Sequence, residues 1–426
     1  MAVLKNKFSG KSSINITLFS ILVFLSLTSN NILSQTRNLD YYFDNAIKNN
    51  QTINENYKLI STYDIRKELV YANLKHPHIF GTANYLFAPT FGEYGYDSAI
   101  TNGGLYSALI NLEMPLFTGF TSETRIEDLR NEQSGFKNTI LATRHEIYKN
   151  ITDQYIKVFL DQEQINASNE ILNLLDLQRE VLRNLADKGI GKISDLNLLD
   201  IEYQTQILGK KQYEVAFETD LMDLNLMAGI KDSALTEIDK PDLKLSGQNS
   251  SKSYFLESFK LDSIKLATEK KMYETNFRPQ LNFIFNTGLN AVTTDEIWKK
   301  FGFNLGLNFT FDIYNGSQVE LNNRYIDIKQ ENIINQKNYF AYQNETRKNY
   351  LLKELKNQQA LEIQMGKQLG NYLALLEIYR VQFLAGEVSL LDYINILKNY
   401  ISFKNELIQN KNQQLQIINE YNYWNW

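Results

Sequence analysis

The sequence predicts an α+β membrane protein made of two like halves, each a β-hairpin followed by a very long helix, a tight tip and a returning helix. Three observations carry that expectation. The stretch Asn111–Gly119 (NLEMPLFTG) is echoed by Asn308–Gly316 (NFTFDIYNG), an interval of 316 − 119 = 197 positions. Residues 301–312 alternate strictly between large apolar and small or polar side chains. Two stretches, Thr121–Ala186 and Ser317–Leu384, run without a single proline. A repeat this long is not a solenoid period, so it reads as a duplicated half-molecule.

The chain opens with Lys5, Lys7 and Lys11 ahead of an apolar run from Ile14 to Leu27. With cleavage after Ser34, residues 1–34 read as a secretory signal peptide, too short and wrongly flanked for a membrane helix. Losing those three lysines takes the formal charge from −5 to −8. An acidic exported chain has no electrostatic footprint for nucleic acid. The absence of cysteine excludes disulfides, thiolate metal sites, cysteine nucleophiles and a lipidated cysteine. Beyond the signal, no apolar run approaches the ~18 residues of a membrane helix. Any passage through a membrane must then be made by strands.

The first half, 35–230, is expected to hold a helix over Leu39–Leu74, a hairpin, the long helix Thr121–Ala186 and a return over Asp195–Met227. A connector, 231–251, leads to the second half, 252–426. That half holds a helix over Lys252–Asn276, a hairpin, the long helix Ser317–Leu384 and a return over Leu390–Tyr421. All five prolines fall outside these helices: Pro77, Pro89, Pro115 and Pro279 edge the strands, and Pro241 sits in the connector. Proline costs ~3 kcal/mol inside a helix, so its placement marks where helices stop.

Strand four is the clearest. Phe301, Phe303, Leu305, Leu307, Phe309 and Phe311 alternate with Gly302, Asn304, Gly306, Asn308, Thr310 and Asp312. Period-two patterning of this kind fits lipid on one side and water on the other. Strand two sets Tyr106, Ala108, Ile110, Leu112 and Met114 against Ser107, Asn111 and Glu113, with Leu109 as an exception. Strand three alternates over Leu281–Asn286 with Ile284 as the exception, and strand one, near Ile79–Phe87, is weaker. The intervening loops, Pro89–Gly104 and Asn290–Lys300, are rich in Gly, Thr, Asp and Asn and read as extracellular. Four strands cannot close a barrel, and an open edge in lipid leaves backbone groups unpaired, so several copies must pool their strands. Each long helix spans roughly 100 Å at 1.5 Å per residue. Ile140, Ile147, Ile151, Tyr155 and Val158 step by heptad-like intervals and form a seam for a partner helix.

With these residues in view, the mature chain resembles the TolC family of outer membrane efflux proteins along its whole length. The matching motifs are Pro115-Leu116-Phe117-Thr118-Gly119 with its echo Ile313-Tyr314-Asn315-Gly316, and the tip Gly386-Glu387-Val388-Ser389-Leu390-Leu391-Asp392. The first tip, Gly191-Lys192-Ile193-Ser194, is a looser match, 195 positions from the second (386 − 191), and Gly189 is an alternative for its glycine. The resemblance implies a homotrimer with a 12-stranded outer membrane β-barrel continued by an α-helical periplasmic barrel. It implies a passive channel without cofactor, surrounded by outer membrane lipid. Its closed end would open when a periplasmic adaptor protein and an inner membrane transporter of the RND, ABC or a similar class dock.

The same resemblance assigns site residues. Asp392, six positions after Gly386, would line the closed aperture, and Asn395 stands where a second acidic ring is expected. On a three-fold axis, three carboxylates in a narrow opening attract cations. The plainer role for Asp392 is a favourable carboxylate in the first turn of a helix. Ser194 and Ser389 read as helix N-caps, and Gly191 and Gly386 as the permissive backbone of each reversal. These four would form the tips that an adaptor touches. No catalytic pattern is present. His76 and His78 flank Pro77 at a strand start; such a pair could bind metal on a strand, but with no carboxylate in the motif an interfacial or solvent position is expected, and His145 falls on a long helix. The aromatic end, Tyr421–Trp426, is expected to pack on the outside of the tunnel. A barrel-anchored structural or adhesive stalk is the alternative, but hairpin loops of ~11–15 residues are too short for a head domain.

Overall fold

The computed structural model describes residues 37–89, 91–96, 104–189, 192–232, 234–247 and 254–426, so the expected signal peptide lies outside the described residues. The first expected helix is in fact three: α1 (Leu39–Asn49), α2 (Gln51–Ser61) and α3 (Tyr63–Lys75). Asn50 breaks the first junction. It adopts an extended backbone, and its side chain accepts a hydrogen bond from the Ile53 amide at 2.9 Å. At the second junction the Thr62 hydroxyl donates back to the Leu59 carbonyl at 2.7 Å. Short polar side chains of this kind offer the backbone an alternative to the continuing helix.

Next come β1 (His78–Phe87) and β2 (Gly104–Leu116), then α4 (Gly119–Asp187) and the returning α5 (Ile193–Met227). The second half repeats the order with α6 (Tyr254–Thr275), β3 (Gln280–Ala291), β4 (Phe301–Thr310), α7 (Gln318–Leu384) and α8 (Leu390–Trp424). Pro115, expected at a strand edge, lies inside β2 and pairs with Asn282. The strands form one antiparallel sheet in the order β1-β2-β3-β4. Where β2 meets β3, Gly288 has φ +149°, and a Cβ there would sit 2.1 Å from the Ala108 carbonyl oxygen, so the pairing admits only glycine.

The registers align the alternations of all four strands. Ile79, Tyr85, Ile110, Phe283 and the Phe301–Phe309 series share one face, while Thr82, Asn84, Ser107, Asn111, Asn286 and Asn304 share the other. Leu109 and Ile284, the exceptions to the pattern, lie on the polar face.

α4 is the spine. The expected seam is formed: Ile140, Ile151, Tyr155 and Val158 are all buried. Tyr155, Val158 and Phe159 pack with Tyr42 of α1 and with Leu221 and Leu224 of α5 in one core. A second core near the tips joins Leu175 and Leu182 of α4 to Leu199 of α5, Leu376 of α7 and Leu390 and Leu397 of α8. Each such side chain contributes about 1.5–3 kcal/mol on full burial, which is what holds helices too long to be stable alone. α7 buries only Ile326, Leu351, Leu355 and Leu376. Among the described helices, none is long and apolar enough to cross a membrane.

The chain end continues α8 to Trp424 and closes over His145 of α4. Its ring stacks on Tyr423 and Trp426, with centroids 4.8 and 4.2 Å away. Its Nε2 lies 2.8 Å from the Tyr423 carbonyl oxygen and donates to it. Burial holds this imidazole below its usual range. Asn425 donates to the Gly247 carbonyl at 3.0 Å and ties the end to the connector.

Candidate functional site

Two regions of the chain are built in a way that its own folding does not require. The first is the outer face of the sheet. Phe301, Phe303, Leu305, Leu307, Phe309 and Phe311 are 53 to 72% exposed. Ile79, Tyr85, Phe87 and Ile110 continue this bare apolar surface across the other strands. Exposed aromatic side chains border it at both ends: Tyr94, Tyr96 and Trp298 at the hairpin loops, Phe117 and Tyr314 at the helix junctions. The opposite face is a net of neutral hydrogen bonds. Asn111 donates to Thr82 Oγ1 at 2.8 Å, and Asn286 donates to Asn304 Oδ1 at 3.1 Å. Among the described residues, edge strands β1 and β4 have no partner on their outer sides.

The junctions between strand and helix are kinked by different means in the two halves. Phe117, at φ +56°, turns the first; Gly316 and Ser317, at +61° and +59°, turn the second. A left-handed phenylalanine that is 89% exposed is backbone strain without burial to offset it.

The second region is the pair of tips. At Gly386, φ is +76°, and the Glu387 amide donates to the Gln382 carbonyl at 2.9 Å, which closes the end of α7. Gly189, at φ +71°, plays that part for α4. Gly191 lies outside the described residues. The true interval between tips is 386 − 189 = 197, and the starts of α5 and α8, 193 and 390, differ by the same number. That equals the interval between the strand-end motifs, so the shift to 195 expected from the sequence is absent. Both long arms carry their tip the same number of residues from the sheet.

Ser389 caps α8 as expected. Its side chain accepts from the Asp392 amide at 3.2 Å, and Asp392 Oδ2 accepts from the Ser389 amide and hydroxyl at 3.3 and 2.6 Å. This reciprocal arrangement is a capping box. Ser194 does not cap. It is the second residue of α5, whose cap position is Lys192 with no side-chain hydrogen bond. The left-handed turn falls at Gly189 instead of Gly191, and α5 starts two residues earlier than expected, at Ile193 in place of Asp195. Asp392 and Asn395 are exposed and lie three apart on one face of α8. Asp195 holds the place in α5 that Asp392 holds in α8, in the first turn and 197 positions earlier. Sequence reading missed it because the first tip was aligned on Gly191.

One further charged cluster lies in the shaft. Asp161 of α4 is 7% exposed, and its Oδ2 has no hydrogen-bond partner. Burial, and then Asp220 of α5 beside it, push its carboxyl up to about 7. Gln154 donates to Asp220 Oδ1 at 3.1 Å, and Lys157 Nζ stands 3.9 Å from the same oxygen. Among the described residues, no three His, Asp or Glu side chains converge as a metal site would need.

No protein-family model matches the sequence, and no curated protein matches it. Solved structures do match in shape. The CmeC outer membrane channel of Campylobacter jejuni has 15% identity and a TM-score of 0.67, over 90% of this chain and 85% of that one. The outer membrane protein VceC of Vibrio cholerae has 11% identity and a TM-score of 0.70, over 91% and 96%. The open-state MtrE outer membrane channel of Neisseria gonorrhoeae has 12% identity and a TM-score of 0.69, over 91% and 88%. With about nine-tenths of the chain covered in each case, the protein carries the fold of the TolC-type outer membrane channels.

Proposed function

We propose that this chain is a passive, homotrimeric outer membrane channel of an export system, and that it conducts solutes handed over by a periplasmic adaptor and an inner membrane transporter. The observation that carries the reading is the bare apolar face of a four-stranded sheet with two open edges. Exposed to water, that face and those edges would aggregate. Three copies joined edge to edge give twelve strands, put the apolar face in lipid and the asparagine face around water, and leave no edge. The chain then sits in the outer membrane and reaches into the periplasm, behind a leader over 1–34. Its two repeats, 35–230 and 252–426, meet through the connector 231–251. The purified mature chain in detergent is expected to have the mass of about three chains, measured by light scattering. A monodisperse monomer that kept its β-content would refute the reading.

The tips are the gate and the docking surface in this reading. Gly386 and Ser389, with the segment about Gly189 and Ser194, face the adaptor, while Asp392 and Asn395 face the three-fold axis. Asp392→Asn keeps the shape of the capping box and removes the charge. It is expected to weaken block of the closed channel by multivalent cations added from the tip side, read by single-channel recording. Unchanged block would leave Asp392 with its helix-start role alone.

A further inference from the structure

Of all residues in the four strands, Glu113 alone carries a formal charge, and His78 is the only imidazole. The register sets these two directly across from each other, His78 on β1 against Glu113 on β2. Both lie on the asparagine face, at the end of the sheet next to the helices. His78 stacks on Phe80, two residues along the same face, with centroids 4.9 Å apart. Glu113 is exposed, and among the described residues no salt bridge ties it to a partner. The rest of this face presents amides, hydroxyls, glycines and a few aliphatic side chains, none of which distinguishes a cation from an anion.

We infer that Glu113, modulated by the facing His78, is the residue that sets charge selectivity in the strand-lined section of the channel and favours cationic solutes. The inference rests on the channel reading. In a pooled barrel it places three carboxylates at one level, around an otherwise neutral lumen. A fixed charge acts over about a Debye length, ~10 Å at 0.1 M salt, which is the scale of the space inside a barrel of this size. The ring is separated from the tips by a helix of roughly 100 Å. It therefore acts independently of Asp392.

The test is the reversal potential of single channels in planar bilayers under a salt gradient. Glu113→Gln is expected to lower the cation-to-anion permeability ratio by about twofold or more at 0.1 M, with the difference fading at 1 M, where the Debye length is ~3 Å. His78→Lys, which adds a positive charge opposite Glu113, is expected to lower the ratio as well. The native chain has no cysteine, so Glu113→Cys can be modified after assembly, which separates charge from folding. A sulfonate-bearing thiol reagent should restore cation preference, and an ammonium-bearing one should reverse it. If Glu113→Gln conducts with an unchanged reversal potential, or if modification of Glu113→Cys leaves it unmoved, Glu113 does not set selectivity, while the channel reading stands. A wild-type chain that forms no conducting assembly overturns the channel reading and this inference with it.

Discussion

Leu307→Arg and Phe303→Arg are each expected to abolish stable membrane insertion, while Asn304→Arg, on the same strand, leaves it largely intact. Leu307 and Phe303 belong to the apolar face that the β3–β4 register shares with Phe283 and Phe285. A lipid-facing arginine near the bilayer midplane costs ~2–4 kcal/mol, and in the proposed trimer that cost is met three times, ~6–12 kcal/mol. This is comparable with the whole stability of a typical domain, about 5–15 kcal/mol. Asn304 faces the other way and donates nothing to lipid contact. Arginine there loses the hydrogen bond from Asn286, worth ~1 kcal/mol, and gains access to water. The measurement is the fraction of chain recovered as protease-resistant trimer in outer membranes or in refolded vesicles. A damaging Asn304→Arg beside a harmless Leu307→Arg would mean that the two faces are assigned the wrong way round.

The large features were legible because each rests on one strong, local signal. The alternation in 301–311 names a strand and its two faces, and long proline-free stretches name α4 and α7 almost to the residue. The seam through Ile151, Tyr155 and Val158 was visible because a heptad-like spacing survives amid polar residues. Smaller features were decided by competition between near-equal local choices. Asn50 and Thr62 are ordinary polar residues in a helical pattern, and only their capping geometry breaks one expected helix into three. Gly189 and Gly191 are equally good glycines on paper. The left-handed backbone at Gly189 closes α4 at Asp187, and that choice of glycine removes Ser194 from the cap and aligns Asp195 with Asp392. The carboxyl pair in the shaft left one signal that went unread. Asp161 falls three residues after Val158 and so continues the buried seam, but α4 carries polar side chains on every face, and the position of α5 is needed to see Asp220 opposite.

That pair carries the second large effect. The Asp161 carboxyl is raised from its ordinary 3.8 to about 7, first by burial and then by the neighbouring Asp220. Because the folded value is the higher one, the folded chain holds a proton here that the unfolded chain has already lost between about pH 4 and 7. The proton-linkage slope is then negative: stability from this group is complete below pH ~4 and declines as pH rises through about 7. Roughly three pKa units at 1.36 kcal/mol each set an upper bound of ~4 kcal/mol per chain at alkaline pH, reduced by whatever the helices relax. Lys157 near Asp220 limits the penalty but is half in solvent, and it does not reach Asp161 as a hydrogen-bond partner. Asp161→Asn keeps the size of the side chain and supplies a permanent N–H donor toward Asp220. The variant is therefore expected to melt several degrees higher than the wild type at pH 8, to match it near pH 4, and to lose most of the fall in melting temperature between those values. Thermal unfolding of the detergent-solubilised chain at both pH values, with Asp220→Asn in parallel, reads this directly. The same decline in wild type and Asp161→Asn would mean that the two carboxyl groups are not held together between α4 and α5. The close packing of α5 along the spine at that level would then be wrong.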